Sequence, residues 1–71
     1  MVIWKKFPEN RNDIPYKGDI VAAPFSKDGE LTGEIWRLRN GWNFNHLNYK
    51  HLTHWMSWND YKNMIQSHLK D

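Results

Sequence analysis

His51-Leu-Thr-His-Trp-Met-Ser-Trp58 decides the fold, because the hydrophobic period changes inside it. Up to Ser57 the residues alternate as in an extended strand, with Leu52, His54 and Met56 expected on one side and His51, Thr53 and Trp55 on the other. Beyond Ser57 the spacing turns helical. Ser57 is a good N-cap, Asp60 puts a negative charge near the positive helix end, and Trp58, Tyr61, Ile65 and Leu69 recur as one stripe. The stretch therefore joins a sheet portion, residues 1–56, to a C-terminal helix over residues 57–70. The class this predicts is α+β: a small antiparallel β-sheet of four or five short strands with one helix packed on a face.

The 71 residues hold one core, and chains this short rarely gain more than about 3–5 kcal/mol from it. No cysteine is present, so disulfides and thiolate metal sites are unavailable, which suits a reducing cytoplasm. Five tryptophans supply dense packing instead. Apolar residues make up only 39% of the chain, so some of those rings are expected at a subunit interface or a ligand site, and a homo-oligomer is expected. A net charge of +2 excludes acidic mimicry of DNA. No run approaches the roughly 18 apolar residues of a membrane-spanning helix, and Met-Val-Ile-Trp-Lys-Lys is too short for a signal peptide. A soluble cytoplasmic protein without membrane partners is expected.

Working back from the opening stretch, Val2, Ile3 and Trp4 favour a strand that stops by Pro8. Residues 10–17 read as a surface connection, with Tyr16 turned inward. Asp19 and the Ile20-Val21-Ala22-Ala23 run suit a buried strand, and Ser26-Lys27-Asp28-Gly29 turns it into a first hairpin with residues 30–39. Asn40-Gly41 then signals a second, type I′ hairpin returning along residues 42–46. Its register would set Arg39 opposite Trp42, Arg37 opposite Phe44 and Ile35 opposite His46, with Trp36 and Leu38 beside Asn45 and Asn43. Neither face of that hairpin is cleanly apolar. Either a bulge resets the register or the mixed face binds something.

Trp4, Phe7-Pro8-Glu9, Ile20-Val21-Ala22, Gly41-Trp42 and Thr53-His54-Trp55-Met56 together resemble a family of small uncharacterised proteins of tailed bacteriophages and prophages. Its members open with a tryptophan followed by Leu-Pro-Glu and close with Thr-His-Trp-Met. Phe7 stands where leucine is usual, and Ser57-Trp58-Asn59 where a proline-rich tail is usual, so the helix is an addition. The resemblance implies phage origin and action inside a bacterial cell. It supplies no catalytic residues.

No chemistry of an enzyme stands out. Ser26, Ser57 and Ser67 lack a nucleophile context, the glycines form no phosphate loop, and no catalytic residue or cofactor is expected. His46, His51 and His54 are not expected to form a metal site, because His51 and His54 fall on opposite strand faces. His54 is expected against Trp55 or Trp58, bonded to a backbone group.

The most suggestive group is Trp36, Arg37, Arg39, Trp42, Asn43 and Asn45, joined by Tyr49 and Lys50. Rings stack on a base, guanidinium groups grip phosphate and amides read an edge, which suits a nucleotide-like ligand. The competing packing explanation is a cation–π pair of Arg39 with Trp42 and ordinary burial of Trp36. A second candidate surface is Trp58, Tyr61, Met64 and Ile65 on the helix, fit for a protein partner such as a host defence factor unless it merely covers the sheet. A nucleic-acid binder ranks third, since ten cations against eight anions leave a weak electrostatic footprint. Non-catalytic, stoichiometric binding that counters host defence is the function expected, with sequestration of a nucleotide-type immune signal ahead of capping a protein.

Overall fold

The computed structural model describes residues 3–69. Among these are four antiparallel strands, β1 (Lys5–Lys6), β2 (Ile20–Ala23), β3 (Trp36–Leu38) and β4 (His54–Ser57), forming one sheet in the order β1-β4-β2-β3. One helix, α1 (Trp58–His68), follows β4 directly. This is the small α+β fold expected. Val2 and Lys70, assigned by sequence to the first strand and to the helix, lie outside the described residues.

β2 sits inside the sheet because it has no polar face. Ile20, Val21, Ala22 and Ala23 are all buried, so both sides of the strand need cover. On one side Ile20 and Ala22 join Leu38 and Trp55, closed over by Ile14, Phe44 and Leu52 from irregular segments. On the other, Val21 and Met56 pair across β2 and β4 beneath α1, which packs on both strands. Each fully buried aliphatic chain contributes about 1.5–3 kcal/mol of transfer free energy. Leu52 departs from the expected alternation, packing with Trp55 instead of on the side of His54 and Met56. Its N–H donates to the Tyr49 carbonyl (3.0 Å) in a turn, so the strand period starts only at His54.

The junction behaves as its residues require. Ser57 stays extended (φ −64°, ψ 149°) and its Oγ accepts from the Asp60 N–H at 3.1 Å, while the Trp58 N–H donates to the Asp19 carbonyl at 2.9 Å. Two donors at the helix start are thereby satisfied.

The first hairpin forms, but β3 is shorter than residues 30–39. The Gly29 N–H donates to the Ser26 carbonyl (3.0 Å), with Gly29 at φ +82°. Extending the Ala22–Trp36 register would set Phe25 opposite Gly33; Phe25 pairs with Leu31 instead, so the connection absorbs two extra residues.

The second hairpin does not form, and residues 42–46 are no strand. The Trp42 N–H does donate to the Arg39 carbonyl (3.2 Å), but only Gly41 has positive φ (+92°). A type I′ turn needs positive φ at both central residues; one at the second alone is the type II pattern, whose twist splays flanking strands. Residues 42–46 instead fold back onto the loop-side core, where asparagines meet their backbone needs. Asn12 Oδ1 accepts from the Phe44 N–H (2.9 Å), and Asn12 Nδ2 donates to Asn43 Oδ1 (2.9 Å). Asn45 Oδ1 accepts from the Arg11 N–H (2.9 Å), and Asn45 Nδ2 donates to Asn10 Oδ1 (2.7 Å). A carboxamide lace replaces a strand ladder.

Asp19 ties the turn to the sheet. Its Oδ1 accepts from the Asn40 N–H (2.8 Å) and its Oδ2 from Arg37 Nη2 (2.9 Å), with Arg39 Nη1 3.9 Å away. The Asn40 hydrogen bond first, then Arg37, hold its carboxyl below the ordinary range. A depressed folded-state pKa means the unfolded chain binds the proton more readily. Stability from Asp19 is therefore complete above the ordinary carboxylate pKa and is lost as pH falls from about 5 through the folded value. Thermal melts across acidic pH should show a shallower decline for Asp19→Asn than for the parent. Equal slopes would contradict the assignment.

Candidate functional site

The helix side of the sheet carries a row of rings drawn from four separate parts of the chain. Trp4 precedes β1, Phe25 follows β2, His54 opens β4, and Tyr61 and Trp58 belong to α1. Trp4 meets Phe25 edge-on (5.5 Å between centroids) and tilts against Tyr61 (6.3 Å). Phe25 meets His54 at 5.2 Å, Tyr61 stacks with Trp58 at 5.9 Å, and the Arg37 guanidinium lies 4.1 Å over Trp58. All five rings are half-buried. The register explains the row: His54 lies opposite Lys6 on one flank and Ala23 on the other, and the small alanine leaves room.

At the His54 end the row opens into a cleft of about 750 Å³. The half-buried rings of Trp4, Phe25 and His54 line it together with Ser26 and Thr53 and the exposed Lys6 and Lys27. Neither lysine pairs with a carboxylate among the described residues, whose ion pairs all involve Asp19. His54 Nδ1 lies 2.7 Å from Thr53 Oγ1, which also accepts from the Phe25 N–H at 2.9 Å. That contact fixes the imidazole plane and leaves Nε2 of this cleft-lining residue with no hydrogen bond among the described residues. It corrects the expectation that His54 lies on Trp55 or Trp58 and bonds a backbone group.

The candidate group on residues 36–45 is split by the fold. Arg37 points to the helix side, onto Trp58 and Asp19, while Trp36 packs against the opposite, loop-side core. Arg39 is 61% exposed beside Asp19 and forms no cation–π pair with Trp42, because the expected strand pairing is absent. Asn43 and Asn45 are engaged in the lace just described. The rings alone stay together. Trp42 lies parallel to Tyr49 (6.2 Å, 3°), and Trp36 meets Tyr49 and His51 edge-on at 6.1 and 5.4 Å. On α1, Trp58, Tyr61 and Met64 are half-buried over the sheet, and Ile65 is 41% exposed.

No known protein family, curated protein or solved structure significantly matches this chain.

The cleft therefore rests on its own geometry. Lys6, Phe25 and Lys27 were not legible as a group in the sequence because they become neighbours only when β4 pairs with β1 on one flank and with β2 on the other. The available signal was Trp4 and Lys6 at a two-residue spacing, which puts both on one strand face. Among the described residues no helix is long and apolar enough to cross a membrane.

Proposed function

We propose that this protein acts by stoichiometric, non-catalytic binding, holding a planar anionic small molecule of the nucleotide type in the Trp4–Phe25–His54 cleft. The observation that carries this reading is the pairing of an aromatic lining with two unpaired ammonium groups, Lys6 and Lys27, in one cleft of about 750 Å³. That volume falls within the range of about 300–1,000 Å³ usual for small-molecule sites. Rings stack on a base, lysines attract phosphate as point charges, and the Ser26 hydroxyl and His54 Nε2 supply directional hydrogen bonds. The cellular setting follows from the Thr53-His54-Trp55-Met56 resemblance: a phage-type protein in the bacterial cytoplasm, sequestering a signal of host defence.

A protein-capping role is the second reading, supported by Ile65 on α1 and Leu69 at its C-cap, 41% and 80% exposed.

Thermal shift against cyclic and linear nucleotides separates the two. A cleft ligand at a hundred times its Kd should stabilise by about 2.7 kcal/mol, and each kcal/mol raises the Tm of a domain this size by about 4–8 °C. The exposed pair Lys6→Glu with Lys27→Glu should abolish that shift without lowering the ligand-free Tm by more than a few degrees, whereas Ile65→Asp should leave the shift intact. No shift with any nucleotide removes the first reading.

A further inference from the structure

A second, chemically different recess lies on the loop side of the molecule. It measures about 220 Å³ and is lined by Trp42, Asn43, His46, Asn48 and Tyr49. Two of these are the parallel rings with centroids 6.2 Å apart, within the offset range of about 4.5–7 Å for aromatic pairs. Trp42 is 46% exposed, so a ring face is available to solvent. A type II turn at Asn40-Gly41 puts Trp42 there, and the 3₁₀ turn Leu47–Tyr49 puts Tyr49 beside it.

The polar groups around the rings keep unused donors. Asn43 Oδ1 accepts from Asn12 Nδ2 and from the Asn45 N–H, which consumes its oxygen and leaves its amide N–H groups unbonded among the described residues. His46 Nδ1 accepts from the Asn48 N–H at 3.1 Å, so the neutral ring carries its proton on Nε2 and offers a second donor. The Asn48 carboxamide and the Tyr49 hydroxyl add groups that both donate and accept. No lysine, arginine or carboxylate lines the recess.

We propose that this recess is a binding site for a neutral sugar ring, distinct from the cleft on the helix side. A pyranose has an apolar face of C–H groups that lies flat on an indole or phenol, and an equatorial fringe of hydroxyls that needs both donors and acceptors at the rim. Two parallel aromatic rings with carboxamide and imidazole neighbours meet both needs. A phosphate-bearing ligand is disfavoured by the same lining, because no cation there replaces its lost hydration.

The test uses the full chain, labelled with ¹⁵N and titrated with maltotriose, cellotriose and the N-acetylglucosamine trimer, with adenosine monophosphate in parallel. At least one sugar should shift the Trp42 indole N–H and the Asn43 and Asn48 side-chain amides, leaving the Trp4 indole unmoved. Trp42→Ala should weaken that binding about tenfold or more, and Trp42→Tyr should recover most of it. Shifts at these groups from adenosine monophosphate alone, from no sugar at tens of millimolar, or unchanged in Trp42→Ala would each overturn the proposal. Adenosine monophosphate shifting Trp4 alone bears on the cleft and not on this recess, so the two sites succeed or fail separately.

Discussion

Replacing Trp55 with alanine should leave the protein mostly unfolded at 37 °C. Trp55 is 3% exposed and central in β4, flanked by Lys5 on β1 and Ala22 on β2. It belongs to the loop-side core with Ile20, Leu38 and Leu52, and the Lys5 ammonium lies 5.2 Å over its ring. Deleting a buried aromatic costs about 3–5 kcal/mol, as lost transfer free energy plus the cavity left behind. A single core in a chain this short supplies about the same amount. Trp42→Ala, at a ring 46% exposed, should instead cost under about 1 kcal/mol. Urea unfolding followed by circular dichroism compares the two directly, and a Trp55→Ala midpoint close to the parent's would show that Trp55 is not part of the core.

These two indoles also mark how far the fold was legible. The helix start at Ser57, the buried run at Ile20-Val21-Ala22-Ala23 and the turn at Gly29 each depend on neighbours within a few residues, and each lies where the local pattern puts it. Asn40-Gly41 is local too, yet it misled, because the dipeptide permits a type I′ turn without requiring one. Once Asn12 met the Phe44 N–H and Asn45 met Asn10, residues 43–45 had partners some thirty positions away, and a strand return was superseded. Nothing in the sequence marks asparagine side chains as partners at that separation. The same reason hid the cleft. Its rings were visible as aromatic residues, but Trp4, Phe25 and His54 converge only through the β1–β4 and β2–β4 registers. Trp36 and Trp42, set on opposite faces by the expected hairpin register, both pack against Tyr49, while Arg37 turns away to Asp19 on the other side of the sheet.

Arg11 is where the irregular half of the molecule should prove most fragile. Its Nη1 donates to the Tyr49 carbonyl at 2.7 Å and its Nη2 to the Lys50 carbonyl at 3.0 Å, while the guanidinium lies 4.7 Å over the Phe7 ring. Those carbonyls close the 3₁₀ turn, the Tyr49 one accepting from the Leu52 N–H as well, so one forked side chain holds residues 47–50 onto residues 7–13. Burial lowers the Arg11 pKa, but a guanidinium stays charged across the working pH range, so its contribution should not vary with pH. Hydrogen bonds from a charged donor contribute about 1.5–3 kcal/mol, and Arg11→Ala should cost about that much. Arg11→Lys should recover little, since an ammonium is a point charge and cannot reach two carbonyls as a planar fork does. The damage should also be one-sided. Amide exchange should quicken at Tyr49 and Leu52, which hold the sugar recess and the loop-side core, while Met56 and the α1 amides keep their protection. Uniform loss of protection would mean that the two sides of the sheet fold as one unit. Confinement to the loop side would show that the helix side, with its cleft, stands without the lace.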